Sequence, residues 1–183
     1  MTSTPESIAA LLQSAHRIRR YALRMGEVQG QGYIGQALGW ADVLAVAYGH
    51  ALKLRPDEPE WEGRDRFLLS HGHYAIAHYA ALIEAGVIAE SELETYGSDD
   101  SRLPMSGMAT YTPGMEMSGG SLGQGLTIAV GHGLGLLVDF LEHVVGVIAA
   151  LHRVGVELRF LHFTRDRLAR RVEVDDADMG VRA

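Results

Sequence analysis

The nine residues SGGSLGQGL, Ser118 to Leu126, hold four glycines and run directly into an apolar segment that begins TIAVGHGLGLLV. A helix N-terminus presents unpaired backbone N–H groups and partial positive charge, so an anion or a polarised cofactor can dock there if no side chain stands in the way. Glycine leaves that approach open. The spacing is neither a GxGxxG following a strand nor a GxxxxGK(S/T) phosphate loop, and no lysine lies near to serve a nucleoside triphosphate. Taken alone, the glycines serve tight helix packing equally well. The longest apolar run, Leu126 to Leu151, contains His132, Asp139, Glu142 and His143, which are costly to place in lipid. It is therefore expected as a buried core helix, with no membrane partner.

With 183 residues and 47% hydrophobic content, the chain has material for a real core, as one compact domain or a fragment of a larger one. The net charge is -7 and the basic residues are scattered apart from Arg165 to Arg171, so a nucleic-acid partner is not supported. The absence of cysteine excludes disulfides and thiolate metal sites. MTSTPESIAALLQ lacks the basic-then-apolar order of a signal peptide, and a cytoplasmic location is the expectation.

Periodicity predicts a first helix capped by Thr4, with Pro5 at its first position and Ile8, Leu11, Leu12, Ala15, Ile18, Ala22 and Met25 on its core face. The glycines of Glu27 to Gly39 predict a loop, WADVLAVAYGHAL a second helix that uses Val43 and Leu44, and Phe67 to Ser70 a short apolar strand. A helix follows from His71 and is expected to stop at Gly86. Ser91 and Glu94 form a capping-box pattern at the start of a short helix. Ser98 to Gly120 reads as loop, and Val156 to Phe163 alternates weakly like a strand. Strand, histidine turn, helix, long loop, glycine turn and helix is an order typical of an open α/β sheet with its site at the loop ends.

In LLSHGHYAIAH, His73 follows the expected strand and opens a helix, where imidazole can donate to a phosphate or exchange protons with a substrate. His71 and His78 lie seven apart, but the HExxH spacing is missing and no third ligand presents itself. Capping a helix or bonding to backbone accounts for both of them.

DRFLLSHGHYAIAHYAAL, SELETYGS, SRLP and TPGMEMSGGSLGQGLTIAVG occur in that order within about residues 10 to 135. Together they resemble the N-terminal, thiamine-diphosphate-binding half of the transketolase family, and TPG followed by SGGSLGQGL is specific to it. The resemblance implies an α/β chain with a partial thiamine-diphosphate-binding fold, helix-rich with a short parallel sheet. It assigns residues 1–135 to that segment and leaves 136–183 as a divergent tail, unrelated or out of frame. It further implies that His73 reaches the cofactor diphosphate and the reacting centre. Gly120 and Leu122 would line the thiamine site, with Gly123 and Gly125 allowing close approach. The implied reaction transfers a two-carbon ketol unit from a ketose phosphate to an aldose, with the cofactor as electron sink.

The chain departs from the family in three places. Tyr33, in GYIG, stands where a histidine is common, and so does Ser106, in SRLPMSG. Both can hydrogen-bond, but neither shuttles protons near neutral pH, so a sugar-phosphate-like substrate other than the usual pentose and hexose phosphates is expected at Tyr33 and Ser106. The third departure is that no GDG triplet occurs, and in the family its aspartate holds magnesium. Asp139 does not occupy the equivalent place, so no residue of this chain is assigned as a ligand to the implied magnesium. The glutamate that activates the cofactor belongs to the family's other half. A C-terminal transketolase subunit or a second protomer is therefore the expected partner, and the chain alone is expected to be inactive. Two alternatives stand beside this reading: a non-catalytic remnant or assembly partner that does not bind the cofactor, and a histidine-metal hydrolase.

Overall fold

A computed structural model describes the backbone of residues 5–153 and the side-chain surroundings of residues 7–145. The expected Thr4 cap, the strand at 156–163 and most of the tail lie outside the described residues. The chain divides into two units, Met1–Val130 and Gly131–Ala183.

The first unit is built on helices α1 (Pro5–Gln29), α2 (Ile34–Val46) and α3 (Ala75–Glu84), each packed against the other two. On α1 the three-and-four spacing of Ala15, Ile18, Ala22 and Met25 makes one stripe, and all four are buried. Leu12, expected on that face, is 63% exposed because it sits about 100° round the helix from the centre of the stripe. Ile8, in the second turn, is also largely exposed.

The loop expected over Glu27 to Gly39 contracts to 30–33, with α1 continuing to Gln29 and α2 starting at Ile34. Gly35 and Gly39 lie on the exposed side of α2, while Ala37, Ala41, Leu44 and Ala45 are buried. An interior glycine costs a helix about 1 kcal/mol, and burial of that alanine-leucine face offsets it. Val43 points away from the face and is exposed. A π-helical turn, Ala47–Ala51, extends α2.

Every residue of α3 from Ala75 to Ile83 is buried. A helix apolar on all sides needs neighbours on all sides, and small residues at 75, 77, 80 and 81 let them come close. Gly86, with φ +79°, ends this region as expected. Arg17 with Glu84 and Arg19 with Asp42 tie the helices together at the rim.

Three expectations are corrected here. Among the described residues there is no strand, so the short parallel sheet of the α/β expectation is not seen there and the described fold is helical. Phe67 to Ser70 instead forms an irregular connection, and its apolar side chains are satisfied by packing. Phe67 lies against the rings of Trp40, Tyr48 and His78, and Leu69 is buried. The capping box does not form either. Glu90–Thr95 is a 3-10 helix whose N-cap is Ala89, and Glu94 is taken by Arg24 of α1 at 2.7–2.8 Å. Ser91 lies inside this helix and not at its cap, and Glu94 is paired across to α1.

Helix α4, Gly125–Arg153, starts at the first unit's edge and forms the described part of the second. It is helical as expected but not buried: Leu126, Leu134, Phe140 and Val145 are all exposed. Apolar composition specified the helix without specifying what covers it. The stretch Gly125–Val145 is long and apolar enough to cross a membrane by length and composition.

Candidate functional site

The glycine turn is seated on the start of the α3 region by backbone contact. Gly72 opens a 3-10 turn, Gly72–Tyr74, that leads into α3. Its N–H donates to the Gly119 carbonyl at 2.9 Å. A Cβ on Gly72 would lie 2.5 Å from Ser106 Oγ and 2.7 Å from Gly119 O, and a Cβ on Gly119 would lie 2.5 Å from Gly72 N. Atoms do not approach so closely without displacing the backbone, so glycine is required on both sides. The Gly119 N–H in turn donates to Gly107 O at 3.2 Å. Residues 71–73, 106–107 and 118–120 therefore converge at one point.

A second anchor lies at the entry to α4. Gly125 is its first residue, and its N–H donates to Ser70 Oγ at 3.2 Å. Ser70 thus caps α4 from a distant segment, satisfying one of the orphan donors of the helix start. Sequence reasoning did not single out Ser70. Its only signal was its place one residue before HGH.

Between the two anchors, Gly120, Leu122 and Gly123 face outward. No atom would lie within 4 Å of a Cβ on Gly120 or Gly123, and Leu122 is 59% exposed. Gly123 has φ +87°, which a side chain would strain. The exposed His73 imidazole meets the Tyr33 ring edge-on, with centroids 4.9 Å apart at 82°. Tyr33 immediately precedes α2, so the contraction of the early loop brings it here. Of the sequence-derived site residues, Tyr33 is thus paired with His73, and Ser106 lies against Gly72. Gly120, Leu122 and Gly123 form the open arc that follows Gly119.

His78 has a different setting. It is fully buried, its Nε2 shares a hydrogen bond with the Tyr48 hydroxyl, and its Nδ1 has no partner. Burial lowers its pKa to about 3 and raises that of Tyr48 well above the ordinary phenol value. This corrects the expected capping or backbone role of His78, because the partner is a tyrosine side chain on the turn after α2. His71 heads the Gly72 turn with no side-chain cap bond and is exposed. One imidazole is sealed in the core and the other is at the surface, so they do not form a metal pair. Among the described residues, no group of three His, Cys, Asp or Glu could hold a metal ion.

Residues 12–137 match the family model for the transketolase thiamine diphosphate binding domain. The chain is 78% identical over 127 residues to an uncharacterized transketolase family protein, y4mO, of Sinorhizobium fredii, covering 69% of this chain and 46% of that protein. It is 36% identical over 135 residues to the 6-deoxy-6-sulfo-D-fructose transketolase subunit SqwG of a Clostridium species, covering 74% of this chain and 49% of that one. The chain thus spans about half the length of these relatives. Among solved structures, transketolase from Leishmania mexicana matches with TM-score 0.63 and 34% identity over 66% of this chain and 18% of that one. Transketolase from Campylobacter jejuni matches with TM-score 0.62 and 33% identity, over 67% and 19%. The glycine turn, the histidine segment it sits on and these matches lead to one conclusion: the chain belongs to the transketolase family, through its N-terminal thiamine-diphosphate-binding domain.

Proposed function

We propose that this chain is the N-terminal component of a thiamine-diphosphate-dependent transferase that moves a two-carbon ketol unit between sugar-phosphate-like substrates. A C-terminal transketolase subunit or a second protomer completes the site. The observation that carries this reading is the Gly72–Gly119 contact, which sets an exposed glycine turn beside the His73 segment. The residues present fit the cofactor: Gly120 and Gly123 leave open ground, and Leu122 offers apolar surface for an aromatic ring. The bound cofactor supplies the electron sink for carbon–carbon bond cleavage.

The chain's own part is to bind, orient and move protons. His73 donates from a ring nitrogen to an anionic oxygen, or holds a proton there for a substrate oxygen. Tyr33 and Ser106 orient substrate hydroxyls through their own hydroxyls. Among the described residues no group of three His, Cys, Asp or Glu could hold a metal ion, and no residue is assigned as a magnesium ligand. The name of the sulfo-fructose relative supports a substrate that varies among the chain's relatives.

Calorimetric titration of thiamine diphosphate with magnesium into the chain, alone and with a C-terminal transketolase subunit, tests this reading. Binding in either format supports it, and no heat in both removes it. One observation favours a second reading, a non-catalytic assembly partner: the sequence contains no GDG triplet. That reading requires association with the C-terminal subunit and no cofactor binding.

A further inference from the structure

A buried ion triad lies just upstream of the glycine turn, outside the site described above. Glu116 sits in Met115–Glu116–Met117, where both methionines are buried. Its carboxylate accepts from Arg64 Nε at 3.0 Å on one oxygen, and from Arg64 Nη2 at 3.3 Å and Arg66 Nη1 at 3.0 Å on the other. The side chains of Arg64, Glu116 and Arg66 are only 7%, 10% and 20% exposed. Arg64 is itself fixed by donating to the Trp61 carbonyl at 3.0 Å.

Charged groups this far from water need partners on every side, and a two-pronged guanidinium–carboxylate contact fixes direction as well as distance. The triad joins the two segments that build the site. Arg64 and Arg66 lead within a few residues to Ser70 and Gly72. Glu116 leads to Gly119, which is three residues on and at most about 11 Å away even if fully extended. The Glu116 segment is held both by its two buried methionines and by the arginines, so it cannot slide without disturbing one of the two.

We infer that Glu116, clamped by Arg64 and Arg66, is a positioning residue that sets where the glycine turn lands on Gly72 and hence how well the turn receives the cofactor. The cofactor part of this inference rests on the function proposed above, while the placement part does not. Arg66→Gln tests it in the full chain, because Arg64 still satisfies both carboxylate oxygens and the fold is retained. Amide hydrogen exchange at Gly72, Gly119 and Gly125 is expected to quicken at least about tenfold, with exchange in α1 and α3 unchanged and Arg66→Lys restoring most of the protection. Where the unaltered chain binds thiamine diphosphate, Arg66→Gln should weaken binding by a similar factor. Unchanged exchange at those three amides would overturn the inference, as would a uniform rise across α1 and α3. If the unaltered chain fails to bind the cofactor both alone and with a C-terminal transketolase subunit, the proposed function falls, and the exchange result still decides the role of the triad.

Discussion

Gly72 and Gly119 face each other with no space for a β-carbon on either, and the hydrogen bond between them is the closest tie between the histidine segment and the glycine turn. Gly119→Ala is expected to destabilise the chain by about 1–3 kcal/mol, since the displaced atoms are backbone. Gly120→Ala, one residue on, meets nothing within 4 Å and should change stability by less than about 0.5 kcal/mol. Urea unfolding of both variants checks the contrast, and equal losses would contradict it. If Gly120 lies against the cofactor, its alanine variant should still weaken thiamine diphosphate binding.

The Tyr48–His78 pair gives the fold a defined response to acid. His78 has a pKa near 3 when folded and about 6.5 when unfolded, so the unfolded chain binds the extra proton in between. Its contribution is full above pH 6.5 and declines as pH falls toward 3. Melting temperatures taken from pH 7 to pH 4 should drop more steeply for the unaltered chain than for a folded His78→Leu variant. Parallel curves would show that His78 is not the group responsible.

Tyr48→Phe removes the hydroxyl that partners the buried Nε2 of His78. The expected loss is about 1–3 kcal/mol at neutral pH, although only one oxygen is removed. Chemical denaturation at pH 7 measures it directly.

His73 is at the surface, so removing its ring should spare the fold. In a complex with a C-terminal transketolase subunit that shows activity, His73→Ala should lower turnover by about 10²–10⁴-fold while the melting temperature stays within a degree or so. Normal turnover would remove the proposed role.

Helix α1 offers an internal comparison. Ile18→Ala should cost about 2–5 kcal/mol and Leu12→Ala almost nothing, because the first is fully buried and the second is 63% exposed. Both residues are apolar and both fall on the expected core face.

Much of the helical frame was legible. The spacing of Ala15, Ile18, Ala22 and Met25 located the inner stripe of α1, and Gly86 marked where the α3 region ends. Errors arose where a local signal met a tertiary one. Gly35 and Gly39 argued for loop, but burial of Ala37, Ala41 and Leu44 outweighed their cost. Ser91 and Glu94 spelled a capping box, but the helix begins at Glu90 and Glu94 pairs with Arg24. Phe67 to Ser70 had strand composition, and its side chains found ring partners with no neighbouring strand among the described residues. At the candidate site, motif order pointed to His73 and the glycines, whose segments the structure brings together, while the pairing of Tyr33 with His73 showed only once α2 was seen to begin at Ile34. Ser70 and the Arg64–Glu116–Arg66 triad could not be read this way, because nothing in the spacing of a serine or an arginine says what lies across from it in space.

The enclosure of α3 bears on how the chain is made. A ten-residue helix is marginal in water by itself, and its buried surface is supplied by α1 and α2, which are synthesised earlier. Those two helices leave the ribosome with their inner faces uncovered and stay so until about residue 84 has emerged. At typical elongation speeds the interval lasts several seconds. A pause in translation between α2 and α3 would prolong that exposure.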